Sequence, residues 1–186
     1  NAQVEEPIVR AAMLSVIGRA YYAVFAYERG AGALEEAARL YDQAGPAHES
    51  AAIDVKLPLA DAMAKIGRDE EAESLLNAII ESAERRSDTA DHLEARRRLA
   101  ELTMDVGRWD EALAHIERAD ALTDESEATP TTRGRLAMLR GAILRRLGLL
   151  DEARESYTRA LDLFRSNEAP IEASMVLNSL AVLARD

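Results

Sequence analysis

The 186-residue sequence contains no cysteine, only 4% aromatic residues, and few residues that break helices, with nine glycines and five prolines. The lack of cysteine excludes disulfide bonds, thiolate metal sites and thiol nucleophiles. Sheet proteins are usually richer in aromatic, β-branched and turn residues, so this composition favours helices. The longest uncharged stretches are too short to span a bilayer, and we therefore expect no membrane partner.

Acidic residues outnumber basic residues by 34 to 23, and the formal net charge is −11. Phosphate contacts need clustered lysine and arginine, so we expect no direct nucleic-acid binding by this segment. The histidines never form a His-Glu-x-x-His motif, and no phosphate-binding loop occurs. These observations predict a protein that is not an enzyme and that uses no cofactor and no metal, and we place it in the cytoplasm.

A short phrase, Gly-x-x-acid-Glu-Ala, occurs four times along the chain. Its glycines and alanines are Gly32 and Ala37, Gly67 and Ala72, Gly107 and Ala112, and Gly148 and Ala153. Successive glycines are 35, 40 and 41 residues apart. Glycine suits the left-handed end of one helix, and acids favour the first turn of the next helix. Because an apolar stripe at helical spacing follows each phrase, the predicted unit is helix, glycine turn, helix.

These residues resemble the tetratricopeptide repeat (TPR) family over roughly residues 8–184, and the longer spacings resemble repeats of kinesin light chains and bacterial multidomain regulators. The resemblance implies an all-α fold, a right-handed superhelical α-solenoid of antiparallel helix pairs with four pairs plus a C-terminal helix. We expect one TPR-like array over residues 1–186, with repeats at about 8–45, 46–86, 88–125 and 130–166 and a partial repeat at 168–186. Since the sequence begins with Asn1-Ala2 rather than Met, we also expect it to be part of a longer protein.

In this family the first helix of each pair lines a concave groove. The resemblance places these residues there: Arg19, Tyr22, Asp61, Lys65, Arg97, Arg98, Glu101, Arg135, Met138, Arg145, Arg146 and Asn178. All inner positions together, which also include Ala26 and Arg29, hold nine basic and six acidic residues, whereas the remaining chain holds 14 and 28. The arginines could accept an acidic peptide through paired hydrogen bonds, or they could pair with Glu94, Glu101 and Asp105 within the array.

The resemblance implies a non-enzymatic protein–protein or peptide interaction scaffold that uses this groove. The alternative is a sensory or regulatory segment of a multidomain bacterial transcriptional regulator. The expected partner is a protein or peptide. If the groove arginines accept a ligand, that partner is acidic. Apolar stripes at the ends of the array also predict that copies of the chain could associate end to end into a homo-oligomer.

Overall fold

A computed structural model describes the backbone of residues 2–185 and the side chains of residues 6–185. This part of the chain is almost entirely helical and contains no strand, which confirms the all-α prediction. Its α-helices are α1 (Ala2–Ala23), α2 (Tyr27–Ala44), α3 (Glu49–Lys65), α4 (Asp69–Arg86), α5 (Thr89–Asp105), α6 (Trp109–Ala121), α7 (Pro130–Arg146), α8 (Leu150–Ser166) and α9 (Pro170–Leu183). Within the described residues, no helix has the length and apolar character needed to cross a membrane.

The helices of residues 2–185 follow the predicted order of four consecutive pairs and a C-terminal helix. They form two compact units, Asn1–Ser82 and Ala83–Asp186, and the division falls within α4. In the first unit α2 packs against both α1 and α3. In the second unit each helix from α5 to α9 packs against the next, so consecutive helices are neighbours in space.

Short local signals set where the helices begin. The Asp88 carboxylate caps α5 by accepting a hydrogen bond from the Asp91 amide at 3.0 Å. The Thr129 hydroxyl caps α7 by accepting from the Thr132 amide at 3.2 Å, and Pro130 occupies the first helical position, where no amide hydrogen is needed. Acids stand in the first turns of α4, α6 and α8, where the helix dipole favours negative charge.

Glycine ends three of the first helices, as the repeated phrase predicts. Gly67, Gly107 and Gly148 have φ values of 76°, 81° and 80°, in the left-handed region where a side chain is disfavoured. After Gly67, the Arg68 amide donates to the Met63 carbonyl at 2.9 Å, and the two later turns repeat this bond. The bond satisfies a carbonyl that the helix end would otherwise leave free.

The first turn is built differently, and the prediction that Gly32 ends a helix is wrong. Gly32 lies inside α2, and the turn before that helix is at Phe25, which has a φ of 62°. The Ala26 amide donates to the Tyr21 carbonyl at 2.9 Å, which is the same bond as in the glycine turns. The turn residues are therefore 42, 40 and 41 residues apart. Gly32 occupies an exposed position of α2, where a helix tolerates glycine, so the phrase could occur inside this helix without forming a turn.

The placement of the first turn at Phe25 instead of Gly32 also corrects the predicted role of Ala37. The alanines of the later phrases are fully buried five residues beyond each turn: Ala72, Ala112 and Ala153. In the first pair this place belongs to Gly30, and Ala37 is buried further along α2. A Cβ on Gly30 would lie 3.1 Å from the Gly18 carbonyl oxygen, so the missing side chain lets α1 and α2 approach closely.

Each unit has its own apolar core. In Asn1–Ser82, the side chains at 2% exposure or less include Leu34, Val55, Leu76 and Ile79. In Ala83–Asp186 they include Leu136, Ile143, Phe164 and Val176. A Cβ on Gly141 of α7 would lie 2.8 Å from ring carbons of Tyr157, so the bare backbone of α7 packs directly on an aromatic ring of α8. Other side chains of the same helices, such as Arg135 and Arg146 of α7, are exposed and lie outside these cores.

Candidate functional site

The twelve predicted groove residues all lie on the first helices of pairs, namely α1, α3, α5, α7 and α9. The first unit holds Arg19, Tyr22, Asp61 and Lys65, and the second unit holds the other eight. Two further inner positions were misplaced by the register of the first repeat: Ala26 lies in the turn, and Arg29 lies on α2. In the second unit α7 lies beside both α5 and α9, so the predicted residues of these three helices share one region.

The arginines of α5 are bound by carboxylates of their own helix. Arg97 donates to both oxygens of Glu94, at 2.9 Å and 2.7 Å, and also hydrogen-bonds Glu101. Arg98 donates to Glu94 at 3.0 Å. Burial would raise the pKa of Glu94, but the hydrogen bonds and charges of Arg97 and Arg98 outweigh it and hold this pKa below its ordinary value. For these two arginines the structure matches the interpretation of pairing within the array.

The three predicted groove arginines of α7 have different environments. Arg135 is 3.1 Å from Glu172 of α9, and its side chain is 58% exposed. Arg145 hydrogen-bonds Tyr157, whose pKa is raised by burial while Arg145 opposes that rise. Arg146 is exposed and lies over the ring of Trp109 at 5.5 Å from the ring centre. Among the described residues no carboxylate lies within 4 Å of Arg146, and the contact recorded for its guanidinium is the face of the Trp109 ring.

The remaining predicted residues are spread over both units. Arg19 of α1 donates to the Asp54 carbonyl of α3 at 2.6 Å, so it joins two first helices through main-chain oxygen rather than a carboxylate. Tyr22 is half-buried, and Lys65 is exposed. In the second unit Met138 is half-buried on α7, and Asn178 is exposed on α9. The structure therefore places these side chains on the helices α1, α3, α7 and α9, as predicted.

An aromatic cluster at the first turn was missed by the sequence reasoning. The rings of Tyr22 and Tyr27 are 5.2 Å apart, and those of Phe25 and Tyr27 are 6.1 Å apart, both edge-to-face. Phe25 is 78% exposed. With Tyr21, this turn holds four of the eight aromatic residues in the chain. That concentration within seven residues was the available signal, but the misplaced first turn hid its position.

The terminal helices expose apolar side chains. On α1 these are Val9, Met13, Val16 and Ile17, and on α9 they are Ile171, Met175, Leu177 and Val182. Each of these side chains is more than a third exposed. They are the residues on which the predicted self-association would depend, and that association stays a prediction.

Two histidines that are distant in the sequence meet across one arginine. Arg96 donates to His92 Nε2 at 3.3 Å and lies 3.3 Å from His115 Nδ1. Burial and the charge of Arg96 lower the pKa of His92, although Glu84 at 3.6 Å opposes this. Over the side chains of residues 6–185, no group of three or more histidines and carboxylates is arranged to hold a metal ion.

Known proteins share this architecture. Over 91% of this chain, aspartyl phosphate phosphatase F from Bacillus subtilis superimposes with a TM-score of 0.82 at 16% identity, and the match covers 44% of that protein. PlcR from Bacillus thuringiensis, solved with the peptide PapR7 and DNA, matches 92% of this chain and 62% of its own with a TM-score of 0.78 at 19% identity. Kinesin light chain TPR-like repeats from Podosopora anserina match 94% of this chain and 95% of their own, with a TM-score of 0.69 at 15% identity. At these identities the likeness shows the fold alone.

Sequence comparison identifies both a curated relative and a family. The human protein O-mannosyl-transferase TMTC1 is 31% identical over 154 residues, which is 83% of this chain but only 16% of that protein. The chain thus spans about one sixth of the length of this relative. The sequence model of the tetratricopeptide repeat-like domain matches residues 8–182. With its helix pairs and left-handed turns of 40-residue period, the chain belongs to the tetratricopeptide repeat-like family and has its α-solenoid fold.

Proposed function

We propose that this chain is a non-enzymatic scaffold that binds a protein or peptide segment along the first helices of its second unit. The TPR-like fold supports a protein–protein interaction scaffold. The observation that carries the proposal is the exposed basic face of α7, where Arg146 has an aromatic ring but no carboxylate beside it among residues 6–185. The curated relative is named as a transferase, but this chain corresponds to a sixth of it, and we propose no transferase activity here.

The chemistry of α7 favours an acidic segment as the partner. Arg97 and Arg98 already hold two carboxylates, so an incoming acid would gain little from them. Arg135 has a single carboxylate contact on an exposed side chain, and Arg146 has none within 4 Å among the described residues. A carboxylate that reaches these two side chains could form the paired hydrogen bonds for which a guanidinium is suited.

Titration of short labelled peptides against the full chain tests this proposal. Three sets with matched length would carry Asp and Glu, Asn and Gln, or Lys and Arg, and fluorescence anisotropy would report binding. We expect acidic peptides to bind the wild type and the double variant Arg135→Ala/Arg146→Ala to bind them at least about tenfold more weakly, since about 1.4 kcal/mol is tenfold in affinity.

The control variant removes two charges from a second helix. Arg154→Ala/Arg165→Ala lowers the net charge by the same amount but changes α8 rather than α7. We expect it to keep the affinity of the wild type. Equal binding by the wild type and the α7 variant would overturn the assignment to α7, and the absence of any peptide binding would overturn the scaffold as a peptide receptor.

A second candidate is the regulatory segment of a bacterial transcriptional regulator. The likeness to PlcR, which was solved with a peptide and DNA and of which the match covers 62%, favours this candidate. In such a protein the array would receive a signal, and another domain would contact DNA. The reading frame around the coding sequence tests it, because a helix-turn-helix domain beside this array is expected and a frame without any DNA-binding domain would refute it.

A further inference from the structure

The turn within the first helix pair holds a bulky residue where the turns within the other three pairs hold glycine. Three of the turns between pairs instead use the polar residues Ser87, Glu127 and Glu168 at positive φ. Phe25 has a φ of 62°, whereas Gly67, Gly107 and Gly148 have values between 76° and 81°. In the left-handed region a Cβ crowds the following carbonyl oxygen, so any residue but glycine is disfavoured there. A phenylalanine at this place is therefore held against its backbone preference.

Burial of the ring does not compensate for this backbone conformation. The Phe25 residue is 78% exposed, and its neighbour Val24 is 68% exposed. The ring lies edge-to-face with that of Tyr27, which is edge-to-face with Tyr22 in turn, so the turn presents a small aromatic platform to solvent. Strained residues tend to persist where they serve a function, and exposed aromatic side chains are the usual anchors of binding surfaces.

Two arginines near this turn in the sequence, Arg19 and Arg29, have no acidic partner in the described residues. Arg19 donates to a carbonyl oxygen of α3, and Arg29 lies over the ring of Tyr21 at 6.0 Å. No carboxylate of residues 6–185 comes within 4 Å of either guanidinium. Glu28 is the carboxylate of the turn itself, and it is exposed and forms no ion pair with a described residue. The contrast with Arg97 and Arg98, which are bound by acids, sets this turn apart.

We infer that residues 21–29, the aromatic turn, form a docking site for a partner segment that carries an apolar or aromatic side chain next to a carboxylate. The inference rests on the proposed function, because it assumes that the chain binds a protein segment, and it adds a second contact surface in the first unit. The partner side chain packs on Phe25 and Tyr27, and its carboxylate meets Arg29 or Arg19. The aromatic contact supplies the anchor, and the arginines select an acidic neighbour.

The central test uses Phe25→Gly in the full chain. This variant introduces the residue that the turns within the other three pairs carry, so we expect it to fold with a thermal midpoint no lower than that of the wild type. Labelled short peptides with Phe or Leu flanked by Asp and Glu would be selected for binding to the wild type. We expect Phe25→Gly to bind the selected peptides at least about tenfold more weakly.

Matched variants and peptides separate the two parts of the site. Leu149→Ala changes another exposed apolar residue beside a turn and is expected to bind as the wild type does. Arg29→Ala is expected to weaken binding and to reduce its dependence on salt. Peptides in which Asn and Gln replace the acids should bind the wild type weakly. Their affinity should equal that of the acidic peptides for Arg29→Ala, since either change removes one partner of the same ion pair.

The outcomes distinguish this inference from the function on which it rests. If peptides bind the wild type and Phe25→Gly equally but lose affinity for Arg135→Ala/Arg146→Ala, the aromatic turn is overturned and the scaffold stands. If no peptide binds the wild type, the proposed function fails as well. If Phe25→Gly changes only the sedimentation of the free chain, the occupant is a second copy, and the assigned partner chemistry is wrong.

Discussion

Two glycines with the same place in the repeated phrase should respond in opposite ways to alanine. Gly32 lies inside α2, whereas Gly67 ends α3 with a φ of 76°. A Cβ at either position would meet no neighbouring atom within 4 Å, so packing does not distinguish them. Both lie in the unit Asn1–Ser82, which allows a direct comparison. The backbone conformation alone decides the sign.

The magnitudes follow from the two backbone states. Alanine inside an exposed helix is about 0.8–1 kcal/mol more favourable than glycine, so Gly32→Ala should increase the free energy of unfolding by about 1 kcal/mol. A left-handed alanine costs about 1–2 kcal/mol, and the lower entropy of its unfolded chain offsets about 0.4–1 kcal/mol of this cost. Gly67→Ala should therefore lower the free energy of unfolding by about 1 kcal/mol.

Urea unfolding followed by circular dichroism measures both changes. With a slope of about 2 kcal/mol per molar urea, the two midpoints should move about 0.5 M in opposite directions. Gly107→Ala serves as a control in the second unit and should lose stability, as Gly67→Ala does, because its φ is 81°. Destabilisation by Gly32→Ala would refute the placement of the first turn at Phe25. Stabilisation by Gly67→Ala would refute the strain argument.

Three further predictions concern packing and pH. Alanine favours a helix more than glycine does, but the Cβ of Gly141→Ala would lie 2.8 Å from the Tyr157 ring. We therefore expect this variant to lower the free energy of unfolding by about 1 kcal/mol, which thermal unfolding measures. Burial is the main reason why the pKa of His92 is lowered, so the unfolded chain binds this proton at a higher pH than the folded chain does. The free energy of unfolding should therefore fall as the pH drops through 6.5, the ordinary pKa of histidine. Urea titrations at several pH values should show a smaller fall in His92→Gln. The pKa of Glu94 also lies below its ordinary value of 4.5. The stability that the Glu94 carboxylate supplies beside Arg97 is therefore present above pH 4.5 and is lost at lower pH. Glu94→Gln should reduce this loss of unfolding free energy in acid.

The helices and three of the four turns could be predicted because their signals are local. Glycine at positions 67, 107 and 148 takes the left-handed conformation, and acids follow in the first turn of the next helix. The first turn could not be placed this way. Phe25 carries no local preference for that conformation, and Gly32 supplied a matching phrase inside a helix.

The candidate site was predictable only in part. The spacing of Glu94, Arg97 and Glu101 along one helix made their pairing a foreseeable alternative, since residues three and four apart lie on the same face. The environment of Arg146 was not foreseeable, because Trp109 belongs to another helix and its ring position depends on how α6 and α7 pack.

The sequence by itself determined the helical class, the repeat family and the late turns, since backbone preference, capping and apolar periodicity act over a few residues. The tertiary structure alone decided which arginines are bound by acids and which aromatic ring Arg146 lies over. Those properties depend on contacts between helices, such as the bond from Arg19 to Asp54 across 35 residues. Side-chain pairing between helices follows from packing in three dimensions, and linear spacing does not encode it.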